Sequence, residues 1–155
     1  MQLRLVAVGT RMPRWVDEGF ADYAGRMPRE CRLTLRALKL GQRGRGADPL
    51  RAVADEGRRL LAASEGCTRV CLDVRGKAVD SVGLADKLAN WLREGREVAF
   101  LVGGPDGLPA DCLEAADWRW SLSPLTLPHG LVRVMLAEQL YRAWTVLSSH
   151  PYHRE

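Results

Sequence analysis

Apolar and polar residues alternate early along Gln2–Val8 and the run ends in Gly9, which predicts a first strand. Pro13 then opens a helix whose Val16, Phe20 and Tyr23 share one face. Arg32–Leu38 alternates again and reads as a second strand. Asp48-Pro49 sets a capping carboxylate before a proline at the first helical position. Leu50, Val53, Gly57, Leu60 and Leu61 mark one face of the helix that follows. Arg69–Leu72 predicts a short buried strand. Ser81 caps a helix with Ala85, Leu88, Ala89 and Leu92 on its apolar face. Val98–Val102 is apolar throughout, the pattern of a strand covered on both faces. Pro109–Ala116 reads as a short helix, Trp118–Leu122 as a short strand, Gly130–Leu147 as the longest helix and Ser148–Glu155 as a polar tail.

Strands and helices alternate almost throughout, so the fold class is α/β, a mostly parallel sheet with helices on both faces. No repeat or linker interrupts residues 1–155, and we read a single domain. The last helix stands out. Leu131, Val132, Val134, Met135, Leu136, Leu140, Tyr141, Trp144 and Leu147 surround it almost completely. A helix apolar all round is buried on all sides. In a chain this short a second copy could supply the missing cover, which predicts a homodimer. Deep insertion into its own domain is the competing explanation.

Composition narrows this little. At 46% hydrophobic and 27% charged, the chain can build an ordinary core. No apolar run reaches the length of a membrane span, and the N-terminus reads as a strand rather than a signal peptide, so a cytoplasmic protein is expected. Cys31, Cys67, Cys71 and Cys112 form no C-x-x-C pair and have no histidine at zinc-finger spacing; buried thiols are expected and no metal site. The net charge of +4 permits a nucleic-acid partner without requiring one. Of the 23 basic residues only Lys39, Lys77 and Lys87 are lysines. Arginine forks suit phosphate oxygens and stack on bases, but a biased genome gives the same excess.

Ligands of open α/β sheets gather beyond the carboxyl ends of the strands. Three segments there have the right character: Asp73–Lys77, Gly103-Gly-Pro-Asp-Gly107 and Ser121–Pro128. The glycine segment admits close backbone approach but is neither a dinucleotide fingerprint nor a Walker loop, and alone it describes any tight turn. Ser121-Leu-Ser-Pro-Leu-Thr-Leu-Pro128 holds two prolines, each restricting its predecessor to extended backbone. Such a loop could offer an adenine edge fixed amides and carbonyls, with leucines against the ring; it could equally be a rigid connector. His129, His150 and His153 all fall in the final 27 residues, beside Tyr152 and Arg154. An aromatic next to cations can stack a base and hold phosphate, whereas most polar tails are solvated chain.

Leu5-Val-Ala-Val-Gly-Thr10, Leu101-Val-Gly-Gly-Pro-Asp-Gly107, Ser121–His129, Leu131-Val-Arg-Val134, Glu138–Trp144 and His150-Pro-Tyr-His-Arg-Glu155 together resemble the ribosomal RNA large subunit methyltransferase H family. These are pseudouridine-N3 methyltransferases of the SPOUT superfamily. The likeness runs from the first strand to the last residue. It implies a homodimeric α/β fold with a deep trefoil knot in its C-terminal half. It implies S-adenosyl-L-methionine as cofactor and, as substrate, N3 of pseudouridine 1915 in helix 69 of 23S ribosomal RNA, methylated on the assembled ribosome. By the same resemblance Leu72, Gly103 and Gly104 line the cofactor cleft, and Ser123, Pro124, Leu125, Thr126, Leu127 and Pro128 wrap the adenosine and methionine parts. His129, Arg142, Tyr152, His153 and Arg154 face the target nucleotide, the tail residues from the same or the partner subunit. Arg4, Arg11, Arg43 and Arg45 are candidates to dock the RNA. The imide proton on N3 must leave. His153 or His129 could take it, or Arg142 or Arg154 could stabilise the anion while water takes it; the electrostatic version is favoured. Two further readings stand beside this one: a SPOUT enzyme for another RNA such as transfer RNA, and a ribosome-binding factor without catalysis.

Overall fold

The all-apolar run Val98–Val102 takes the centre of the molecule. In the computed structural model, which describes residues 1–154, it is the middle strand of five and every one of its residues is buried. The elements in chain order are β1 (Gln2–Val8), α1 (Arg14–Arg26), β2 (Arg32–Leu38), α2 (Pro49–Ala63), β3 (Thr68–Lys77), α3 (Ser81–Glu94), β4 (Val98–Val102), α4 (Ala110–Glu114), β5 (Trp118–Trp120) and α5 (His129–Leu147). Short 3-10 turns cover Arg29–Cys31 and Pro151–Arg154. The strand order is β2-β1-β4-β3-β5 and every pairing is parallel.

Strand alternation sorts the core into two layers. Leu3, Leu5, Val70 and Phe100 face one side, where Phe20 of α1, Leu88 and Trp91 of α3, and Leu136 and Leu140 of α5 cover them. Val6, Val8, Cys71 and Leu101 face the other, against Leu60 of α2 and Cys112 of α4. Each fully buried leucine contributes roughly 1.5–3 kcal/mol. The helix α5 packs against both α1 and α3, so it runs through the middle of its layer. All four cysteines are free and buried, and burial pushes the Cys112 thiol up to about 11. Among the described residues no helix is long and apolar enough to cross a membrane.

The local signals mostly deliver the expected elements. Asp48 accepts from Leu50 N at 3.0 Å and Pro49 occupies the first helical position. Small shifts apart (α4 is Ala110–Glu114 rather than Pro109–Ala116, β5 ends at Trp120 rather than Leu122, and α5 starts at His129), three features differ. The cap of α3 is Asp80, which accepts from Gly83 N at 2.8 Å, and Ser81 is already helical. The third strand runs on to Lys77 rather than stopping at Leu72, with an irregularity in its pairing to β5: Trp120 partners both Leu72 and Lys77. Its extension is polar and exposed, so apolar patterning reads it as loop. Third, the tail is folded back. His150 N donates to Thr145 O at 2.9 Å, and the Tyr152 ring sits 4.7 Å from that of Tyr141.

The buried stripe of α5 is Gly130, Arg133, Leu136, Ala137, Leu140, Tyr141, Ala143 and Thr145. Leu131, Val132, Val134, Met135 and Trp144, expected inside, are only half-buried in the single chain, and Leu147 is exposed.

Candidate active site

One cleft of about 280 Å³ opens beyond the carboxyl ends of the strands. Three stretches converge on it: Leu72–Arg75 of β3, the turn after β4, and the loop from Trp120 to His129. The turn is closed by Gly107 N donating to Gly104 O at 3.0 Å. Gly103 is required there, because a Cβ would stand 2.5 Å from the carbonyl carbon of Gly107. The second loop is stiffened from within. Ser121 Oγ donates to Ser123 O at 3.0 Å, and Leu125 N donates to Ser123 Oγ at 2.9 Å. Ser121 N donates to Lys77 O at 2.9 Å, which ties the loop to the end of β3. Beneath it Trp120 is buried and stacks on Trp118, ring centres 5.1 Å apart.

Leu72, Gly103, Gly104, Ser123, Leu125, Thr126 and Leu127 all line this cleft. Pro124 and Pro128 do not; Pro128 precedes α5, where its carbonyl accepts from Val132 N at 3.1 Å. Asp73 and Asp106 bring carboxylates to the wall.

The glycine turn is anchored to a distant helix. Glu56 of α2 is 1% exposed and takes Arg43 Nη1 at 2.5 Å, Arg43 Nη2 at 2.9 Å and Gly41 N at 2.7 Å. Arg43 Nε reaches on to Asp106 at 3.0 Å. Burial alone would raise the Glu56 carboxyl, but the bonds from Arg43 and Gly41 outweigh it and hold it below its ordinary value. Arg43, expected among the arginines that dock RNA, is thus committed to this clamp. Arg4 is paired to Glu97 at 2.6 Å.

A family model described as predicted SPOUT methyltransferase matches residues 1–153. The chain belongs to the SPOUT methyltransferase family. It is 58% identical over 154 residues to a protein of Alkalilimnicola ehrlichii called ribosomal RNA large subunit methyltransferase H, covering 99% of both chains. It is 59% identical over 155 residues to the protein of the same name from Methylococcus capsulatus, covering 99% of this chain and 100% of the other. Among solved structures it resembles a probable methylase family protein of Haemophilus influenzae, with a TM-score of 0.61 at 13% identity, over 96% of this chain and 69% of the other. That last likeness speaks for the fold alone.

Of the five residues expected to face the target nucleotide in this SPOUT methyltransferase, only His129 lines the cleft. Arg142 lies toward the other end of α5, roughly 20 Å away at about 1.5 Å of rise per residue. There it binds Glu138, Nε at 2.9 Å and Nη2 at 2.7 Å. Tyr152 OH donates to the same Glu138 oxygen at 3.0 Å, and the Arg142 guanidinium lies over the Tyr152 ring at 5.1 Å. Burial, followed by the bonds with Tyr23 and Glu138, pushes the Tyr152 hydroxyl well above its ordinary value. His153 has a buried Nδ1 without a partner, and Arg154 is exposed.

Glu56 and Arg133 escaped the sequence reading. Each is a charged residue set in a buried helical stripe, and that misplaced charge was the available signal.

Proposed function

We propose that this SPOUT methyltransferase moves a methyl group from S-adenosyl-L-methionine to N3 of a pseudouridine in helix 69 of 23S ribosomal RNA, on the assembled ribosome in the cytoplasm. One observation carries the reading: the glycine turn and the proline-stiffened loop meet in a single cleft edged by His129. The names of the close relatives support the ribosomal substrate.

The residues present fit the cofactor. Leu72, Leu122, Leu125 and Leu127 offer apolar faces for an adenine ring, and Asp73 offers a carboxylate to an ammonium or a sulfonium, while Asp106 is held by Arg43. The missing side chain at Gly103 keeps the turn tight enough for backbone contact. When bound, S-adenosyl-L-methionine supplies an electrophilic methyl on a positively charged sulfur. Pro124 and Pro128 act at a remove, fixing the loop that Ser123, Leu125, Thr126 and Leu127 present. The chain's main contribution is placement of the imide nitrogen in line with that methyl. His129 is the side chain at hand to take the N3 proton.

A second copy completes the site in this account. The half-buried Leu131, Val134, Met135 and Trp144 support a homodimer built on α5. The partner's tail would bring Tyr152, His153 and Arg154 to this cleft, and the end of its α5 would bring Arg142. Because Glu138 already neutralises much of the Arg142 charge, the burden shifts from Arg142 toward His129 for the proton and Arg154 for the anion. After the edge strand β5 the chain returns past the ends of β3 and β4 before α5 enters between α1 and α3, a course that supports a trefoil knot.

Mass spectrometry of 23S RNA from a strain lacking this protein tests the proposal. We expect one methyl to be missing from the pseudouridine-bearing fragment and restored by the wild-type gene. A methyl lost from a transfer RNA instead would redirect the substrate, and an unchanged RNA population would leave a ribosome-binding factor.

A further inference from the structure

A second cavity adjoins the cleft and has a different chemistry. It holds about 290 Å³ and is walled by the Gly9–Met12 stretch after β1, by Lys39 and Leu40 after β2, and by Pro105 of the glycine turn. His129 is common to both hollows. Asp73 and Asp106 line the cleft, whereas no carboxylate lines the second cavity. Arg11 and Lys39 stand exposed at its wall, and neither side chain enters an ion pair among the described residues.

A further cation lies directly behind Gly9. Arg133 is 2% exposed, and its Nη2 donates to Gly9 O at 2.6 Å and Val8 O at 3.4 Å. Its Nε is buried without an acceptor. Gly9 turns the chain here at a φ of +117°, which side-chain-bearing residues rarely adopt, and a Cβ would meet the Met12 methyl at 3.0 Å while only touching Nη2 at 3.4 Å. Burial lowers the Arg133 pKa against the pull of Asp17, yet an arginine stays charged at neutral pH. No carboxylate pairs with it among the described residues; two carbonyl dipoles face it instead. A buried charge without a counterion is costly, and in a low-dielectric wall its field reaches the adjoining hollow with little screening.

We propose that this cavity is a phosphate seat, taking one backbone phosphate of the RNA strand next to the nucleotide whose base enters the cleft at His129. Arg11 and Lys39 hold the phosphate oxygens from the open side, and Arg133 supplies the opposing charge through the wall. The seat fixes the register of the strand, as phosphate contacts generally do. The inference rests on the methyltransferase reading, because it needs an RNA strand passing His129. The other anion within reach is the carboxylate of the cofactor's methionine part. The exposed side chains Arg11 and Lys39 favour the strand, which arrives from solvent.

The test is the double variant Arg11→Gln/Lys39→Gln, assayed for methyl transfer to unmethylated large ribosomal subunits over a range of salt, with S-adenosyl-L-methionine binding measured alongside. A control, Arg32→Gln/Arg96→Gln, removes two exposed arginines at the opposite, amino-terminal end of the sheet. We expect cofactor binding to match wild type, KM for subunits to rise about tenfold, and the log–log salt slope to shrink by about 0.7–0.9, the value of one phosphate contact. The control should move KM by less than about twofold. Unchanged KM and slope in the double variant would overturn the proposal, as would an equal loss in the control, which would mean net charge alone. Weakened cofactor binding with an unchanged slope would assign the cavity to the cofactor's carboxylate and overturn it too. Failure of the wild-type protein to bind cofactor would defeat the methyltransferase reading itself, and this inference with it.

Discussion

The two loops that form the cleft keep their shapes by different means. The glycine turn is held from outside, through Asp106 to Arg43 and from Arg43 to the buried Glu56 on α2. Apart from one backbone tie from Ser121 N to Lys77 O, the Ser121–Pro128 loop is held from inside, by two prolines and the Ser121 and Ser123 hydroxyls. Among side-chain contacts, the first depends on one across sixty-three residues, the second on neighbours two apart. Damage to α2 should therefore reach the cleft through the glycine turn and spare the proline loop.

The largest effect should follow Glu56→Gln. It removes the counter-charge of Arg43 and turns one of the two acceptor oxygens shared by Arg43 and Gly41 N into a donor. Breaking a buried pair from one side costs about 3–5 kcal/mol, and the partial exposure of Arg43 brings this to about 2–3 kcal/mol in denaturant unfolding. Cofactor affinity should fall at least about tenfold. Gly103→Ala comes next. Its Cβ would strike the backbone of Gly107 and Leu108, so the turn must open. We expect about 1–3 kcal/mol by the same assay and a similar loss of cofactor binding, with little change at the tail.

Acid should undo the clamp selectively. The Glu56 carboxyl lies below its ordinary value of 4.5 in the folded chain, so its contribution is complete above that value. It is lost as pH falls through the lower, folded value. The stability gap between wild type and Glu56→Gln should therefore close below pH 4.5 and stay constant above it; a gap unchanged in acid would remove Glu56 from the clamp. The smallest effect belongs to Pro124→Ala. Freeing the unfolded chain costs about 0.4–1 kcal/mol, and cofactor affinity should drop only a few-fold. If it drops as far as in Glu56→Gln, the two loops are not held independently.

This contrast also explains what could be read along the chain. β1 and β4 have the expected bounds because their apolar pattern and their burial coincide, and β2 keeps its bounds by alternation although only Leu33 is buried. The cap of α2 was legible because Asp48-Pro49 acts on its own neighbours. The convergence of the two loops followed from the general placement of ligands at strand ends. Glu56 and Arg133 were not legible, since their partners lie on other segments (Arg43 and Gly41 in the loop before α2, Gly9 after β1) and their charge argues for the surface. The extension of β3 to Lys77 was missed for a related reason: it pairs through backbone, and its exposed side chains carry no strand pattern. Nor could periodicity separate the covered from the half-covered face of α5, because nearly all its positions are apolar.

Hydrogen–deuterium exchange with and without S-adenosyl-L-methionine tests most directly whether both loops serve one ligand. We expect slowed exchange at residues 103–108 and 121–128 together, with half-effects at the same cofactor concentration. Protection of only one stretch, or of neither, would contradict a shared pocket.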